Sequence, residues 1–180
     1  MGTGQSRQEV DRDYHAFFEL LGHFVTRYQS VEDHLANVFS AALGDHADWS
    51  KAIFETARGI DPKLKLIDAG LIGADESHRE TWKALRKLVQ DAHETRGSLA
   101  HCTPVSAGSV VIFIDSDQPG HSENWMEARK QTKRGEQTWK VEDLRVELNR
   151  VSKLFSALIA LVTSLVVRHR ASICLLHSRN

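Results

Sequence analysis

The sequence predicts a mainly α fold. The expectation is a helical bundle of about five helices, three of them long, with a small β hairpin or meander inserted before the last long helix. Two patterns carry that expectation. Residues of one stripe, apolar except for His78 and Arg96, recur in alternating steps of four and three over residues 17–42, 78–99 and 144–165, which is the stripe of a packed helix. Between the second and third of these stretches, Val110-Val-Ile-Phe-Ile114 is a β-branched and aromatic run bounded by turn formers, which reads as a strand. The length of 180 residues, 41% hydrophobic and 26% charged, is ordinary for one soluble globular domain with a sizeable core.

The elements follow in order. Residues 1–12 are expected to be disordered. From Asp13 to Leu43 the stripe runs Phe17, Leu21, Phe24, Tyr28, Val31, Leu35, Val38, Ala42. No proline interrupts it and Gly44 can end it. A period of 3.5 over four heptads suits packing along a partner helix, within the chain or across a dimer. Asp48 can cap a short helix that runs to Arg58 and stops at Gly59. Asp61-Pro62 reads as an N-cap with proline at the first helical position of a third helix, Lys63 to Leu71. Asp75 or Ser77 caps a fourth helix with the stripe His78, Trp82, Leu85, Val89, Ala92, Arg96, Leu99.

After Pro104 the period changes. Beyond the strand at 110–114, strands near 124–131 and 136–140 are expected around a turn at Arg134-Gly135, with a helix over 122–133 as the competing reading. From Val141 the helical period returns through Leu144, Leu148, Val151, Phe155, Leu158 and Leu165, and the chain is expected to fray past Arg168. The organisation is thus a single helical domain over 13–170, a β-containing insertion over 104–140 and a tail over 171–180.

Charge and cysteine content narrow the function. A formal net charge of -1 argues against a broad, sequence-blind nucleic-acid binder, although a local basic site is compatible with it. Two cysteines, Cys102 and Cys174, are too few for a disulfide framework, so a reducing cytoplasm is the default. Charges at Arg7, Glu9, Asp11, Arg12 and Asp13 do not fit a signal peptide. The start Met-Gly-Thr-Gly-Gln-Ser fits the loose myristoylation pattern and fits a disordered start equally. The apolar run Leu154–Val167 is short for a membrane span and normal for a core helix.

The residues with the most chemistry sit at the end of the fourth helix. Arg96 falls on a stripe that should be buried, where a guanidinium needs a carboxylate, an anion or a wet cleft. His101 follows five residues later, near the helix end, because Pro104 biases Thr103 away from helix. Two structural readings stand beside a functional one. Arg96 can pair with Glu32 of the first helix as a buried salt bridge, and His101 can simply favour the helix C-terminus.

Glu94-Thr-Arg-Gly-Ser-Leu-Ala-His101 resembles the E-x-R-N-x-L-A-H form of the HEPN superfamily, with its R-x4-6-H motif at the shortest spacing. Ser30-Val-Glu-Asp-His-Leu35 is similar to the first long helix of several bacterial members. The resemblance in organisation covers about residues 14–168. It implies a homodimer, a metal-independent endoribonuclease of the toxin or defence kind, and no cofactor. In such a dimer Arg96 and His101 of both subunits face one another at the interface, with Glu32 and Glu94 as supporting residues. It also implies an alternative, since some members bind RNA, nucleotide or a protein partner such as an antitoxin without cleaving. The family usually places a polar residue directly after the arginine. Gly97 stands there in this chain, which leaves a helper group missing.

Those residue types suit the chemistry. Cleaving RNA without metal needs a base for the 2′-hydroxyl, an acid for the leaving 5′-oxygen and a cation for the phosphate. Histidine suits the first two roles and arginine the third. One pair supplies only part of this set, and a two-fold dimer doubles it.

Other constellations are weaker. The ten histidines are scattered, and Asp75-Glu-Ser-His78 is a single acid–histidine spacing where a helical di-metal site needs two. No zinc-ligand cysteine pair, H-E-x-x-H, Walker loop or dinucleotide fingerprint occurs. Arg129, Lys130, Lys133 and Arg134 form a basic cluster in the insertion. It is either a solvated face or the place for RNA backbone contacts. Trp125 and Trp139 can stack on bases or pack against the bundle.

Overall fold

In the computed structural model the described backbone covers residues 7–44, 47–100, 103–106, 126–132 and 135–177. The order is α1 (Arg7–Ala42), α2 (Ala47–Thr56), α3 (Ile60–Gly70), α4 (Glu76–Ala100), β1 (Thr103–Ser106), β2 (Met126–Thr132), β3 (Gly135–Trp139) and α5 (Val141–His177). The protein is mainly α, with five helices among the described residues and α1, α4 and α5 the long ones. The chain divides into two compact units, Met1–Thr26 with Glu94–Arg150, and Arg27–His93 with Val151–Asn180.

The second unit is a helical bundle. The α1 stripe is buried at Tyr28, Val31, Leu35 and Val38, and α3 contributes Leu64 and Ile67. From α4 come Trp82, Leu85, Val89 and Ala92, and from α5 Val151, Leu154, Leu158, Leu161 and Leu165. These are the positions the periodicity marks, because each helix buries one stripe and gains about 25 cal/mol per Å² of apolar area removed from water. Ser50 is fully buried and meets Ser40 at 2.7 Å, hydroxyl to hydroxyl, so its polar atom is satisfied.

Several helix limits differ from expectation. Helix α1 begins at Arg7, inside the segment expected to be disordered. The apolar stripe starts only at Phe17, but residues 7–13 contain neither glycine nor proline and the helix propagates through them. Helix α3 begins at Ile60, after Gly59 with φ of 81°, a left-handed conformation that costs glycine little. Asp61 is therefore in the first turn rather than at the cap. Pro62 is also in that turn, where a missing N–H has no intrahelical partner to lose. Gly44, φ 83°, follows α1 as the predicted stop.

Helix α5 continues to His177 where fraying past Arg168 was expected. Arg168 is tied down: its Nε lies 3.0 Å from Asp75 Oδ2 and its Nη2 donates to the Gly73 carbonyl at 2.9 Å. The Val141–Ala171 portion is long and apolar enough to cross a membrane by length and composition alone, with a mean hydropathy of 1.7 in its most apolar window, and 28% of that window is buried. It is thus a core helix on one stripe only, since Ile159 is 41% and Val167 62% exposed.

In the first unit Phe17, Phe24, Leu99, Trp139 and Leu144 are buried. Strands β1, β2 and β3 pair antiparallel in that order, with Thr103 opposite Arg129 and Thr132 opposite Gly135. Residues 126–132, for which a helix was the competing reading, are extended. The strand expected at 110–114 lies outside the described residues.

Candidate functional site

Arg96 departs from its stripe. Trp82, Leu85, Val89, Ala92 and Leu99 are buried as the 4–3 steps require, whereas Arg96 is exposed. The reason is the cost that made the position notable. Burying an unpaired guanidinium is expensive, and the long stem lets the head reach water while the backbone stays on the stripe. Among the described residues Arg96 makes no ion pair. Glu94, one residue before Thr95 on the same turn, is exposed as well.

Glu32 has a cationic partner on α3. Its Oε1 accepts a hydrogen bond from Lys63 Nζ at 3.1 Å, with both side chains about three-quarters or more buried. Lys63 Nζ also stands 5.7 Å from the Phe54 ring centroid. Within its own unit, Glu32 thus ties α1 to α3.

His101 lies outside the described residues, directly after the last residue of α4, Ala100. Gly97 lies between the two motif residues, and a Cβ built on it meets nothing within 4 Å. Packing does not demand glycine there. Of the basic cluster, Arg129 and Lys130 are on β2; their side chains, and Lys133 and Arg134 altogether, lie outside what is described. Trp139 is buried, so of its two readings packing is the one it follows; Trp125 is outside the described residues. A scan against protein-family models, a search of curated proteins and a search of solved structures each find no match to this chain.

Two polar clusters are not legible in the sequence as sites. Asp75 and His78 stand out there, but their partners Ser164 and Arg168 are far along the chain, and Asp68 lies on α3, away from Trp82 and Arg86. In the first, His78 Nε2 is 2.9 Å from Ser164 Oγ and His78 Nδ1 is 3.6 Å from Asp75 Oδ2. The order of atoms is that of a serine–histidine–aspartate relay, but the chemistry is not available. Ser164 lies within α5, where backbone N–H groups are consumed by the helix and none is left to hold an oxyanion. Asp75 is held by Arg168, and 3.6 Å is too long for a hydrogen bond to His78. This cluster fastens the start of α4 to α5. In the second, Trp82 Nε1 donates to Asp68 Oδ1 at 2.7 Å and Arg86 Nε donates to Asp68 Oδ2 at 3.2 Å, at the edge of an open groove. Elsewhere Tyr28 Oη and His93 Nδ1 lie 2.7 Å apart, which gives the buried Tyr28 hydroxyl a partner on half-buried His93.

Proposed function

We propose that the protein is a HEPN-like, dimeric, cytoplasmic endoribonuclease that cleaves RNA without a metal, with Arg96 and His101 as its catalytic pair. The observation that carries this reading is the exposure of Arg96. A guanidinium on a core stripe that is turned to solvent is free to hold a phosphate with its planar fork, whereas one locked to Glu32 is not. Its sequence spacing from His101 supports the same assignment.

In the proposed reaction a histidine takes the proton of the 2′-hydroxyl, O2′ attacks phosphorus, and the P–O5′ bond breaks. A second histidine returns a proton to O5′, so the products are a 2′,3′-cyclic phosphate and a 5′-hydroxyl end. Arg96 neutralises the extra charge on the phosphate oxygens. Two histidines are needed, which is why the reading includes a homodimer. RNA contacts from Arg129, Lys130, Lys133 and Arg134 belong to the same proposal.

The test is cleavage of a mixed-sequence single-stranded RNA in excess chelator by the parent and by His101→Ala, with the mass in solution measured by sedimentation. Cleavage by the parent that vanishes in the variant, from a particle of twice 20.3 kDa, supports the reading. Equal cleavage by both removes the assignment. Binding without cleavage by either replaces it with a non-catalytic RNA-binding dimer.

A further inference from the structure

We infer that the groove between the end of α3 and the first half of α4 is a track for single-stranded RNA phosphates. This rests on the reading of the protein as one that acts on RNA, and extends it to a surface that the R-x4-H motif does not include. The groove encloses about 300 Å³ and is lined by Asp68, Leu71, Ile72, Arg79, Trp82, Lys83 and Arg86.

Its cations form a row. Arg79, Lys83 and Arg86 follow one another at steps of four and three along α4, so neighbours on this helical face stand about 5–6 Å apart at Cβ. The row is backed by an apolar floor. Leu71 and Trp82 are buried, while Ile72 is 73% exposed, a large aliphatic side chain standing at the rim. A single nucleic-acid strand has the matching form: repeating charge along one edge and apolar base faces along the other. An acidic peptide offers charge without the continuous planar face, so RNA is the occupant this arrangement favours.

Charge within the lining is unequal. It holds three cations and one carboxylate, and that carboxylate is committed, with Oδ1 taken by Trp82 and Oδ2 by Arg86. Arg79 and Lys83 pair with Glu76 at 3.0 Å and Glu80 at 3.8 Å. Both acids are exposed neighbours on α4, and surface pairs of this kind are weak and yield to a phosphate. Asp68 has a positioning role: it orients the Arg86 fork, whose Nη1 also donates to Gln90 Oε1 at 3.1 Å.

The experiment is fluorescence anisotropy with an end-labelled, mixed-sequence single-stranded RNA in chelator. His101→Ala serves as the background, so that the probe stays whole. Lys83→Glu removes only an exposed 3.8 Å pair and keeps the fold intact; the exposed Lys51→Glu controls for net charge. Lys83→Glu should weaken binding at least about fivefold beyond Lys51→Glu. The triple change Arg79→Ala, Lys83→Ala and Arg86→Ala should lower the slope of log affinity against log salt by about 2, at about 0.7 for each phosphate no longer neutralised. No RNA binding by the background protein, or equal binding by the triple variant and Lys51→Glu, overturns the inference. Loss of polyglutamate binding with RNA binding unchanged also overturns it and reassigns the groove to an acidic protein. The two proposals fail separately: the groove alone fails if the triple variant in a wild-type background binds and cuts long RNA like the parent, and the catalytic reading alone fails if His101→Ala still cuts while groove variants lose binding.

Discussion

Lys63 Nζ stands 3.1 Å from Glu32 Oε1, within a site where the two side chains keep only 20% and 24% of their exposure. This pair links α1 to α3. Its energetic role is structural. Glu32→Ala should lower unfolding free energy by about 1–2 kcal/mol, since it removes a charge-assisted bond and leaves a mostly buried ammonium without its carboxylate. Urea denaturation checks this. RNA cleavage per folded molecule should be unchanged, and a large loss would restore Glu32 to the site.

Arg96 should behave in the opposite way. It is exposed, so Arg96→Ala should move stability by less than about 0.5 kcal/mol, yet cleavage should fall at least tenfold. Arg96→Lys should rescue only part of the rate, because an ammonium keeps the charge and loses the two-pronged grip on phosphate. A thermal melt beside a cleavage time course separates the two effects. Full activity in Arg96→Lys would mean that charge alone suffices.

His34 makes stability depend on pH. Burial lowers its pKa below the ordinary 6.5, and the Asn37 amide nitrogen, a donor, stands 3.0 Å from its Nδ1. That ring nitrogen must accept, so protonating it sets two donors against each other. The ring also meets Phe155 edge-on, centroids 5.4 Å apart. The folded pKa lies below the unfolded one, so the unfolded state binds the proton more readily. Stability should be at its full value above about pH 6.5 and fall as pH drops through and below that point. Urea midpoints across neutral and mildly acidic pH should show this fall, and His34→Gln should flatten it. An unchanged slope in the variant would assign the effect to other groups.

Arg168 should matter more for the fold than its place beyond the apolar run suggests. Arg168→Ala removes the bonds to Asp75 Oδ2 and to the Gly73 carbonyl. Stability should fall by about 1 kcal/mol, discounted for partial exposure. Hydrogen exchange should rise in the last turns of α5 and at the start of α4. Protection unchanged at both places would show that the cluster holds nothing.

The helices were legible in the sequence because burial follows period. Phe24, Val31, Leu35 and Val38 on α1, and Leu85 and Val89 on α4, are buried where the 4–3 steps put them. The helix ends were less legible. The Arg7 start depends on propensity without a core residue, and the α5 extension depends on Arg168 meeting Asp75, far earlier in the chain. Arg96 shows a further limit of pattern reading: period gives the direction of a Cβ, while a long cationic side chain follows its solvation. The groove residues could have been found. Arg79, Lys83 and Arg86 occupy one face of α4, but acidic residues interrupt them in sequence, and the row becomes visible only when Asp68 and Ile72 are brought beside it.

Gly97 offers a test between the catalytic and the merely binding readings. A Cβ there has open space around it, and asparagine is a somewhat better helix former than glycine. Gly97→Asn should therefore fold as well as the parent or gain a few tenths of a kcal/mol, by about the difference in helix propensity. It supplies the polar group that the HEPN motif usually carries after its arginine. If the proposed site is active, cleavage by Gly97→Asn should equal or exceed that of the parent, and the added activity should disappear with His101→Ala. If parent and variant both bind RNA and neither cuts it, the missing polar group is not what holds the protein inactive. The site then serves binding alone, and Arg96 grips phosphate without a histidine positioned to act on it.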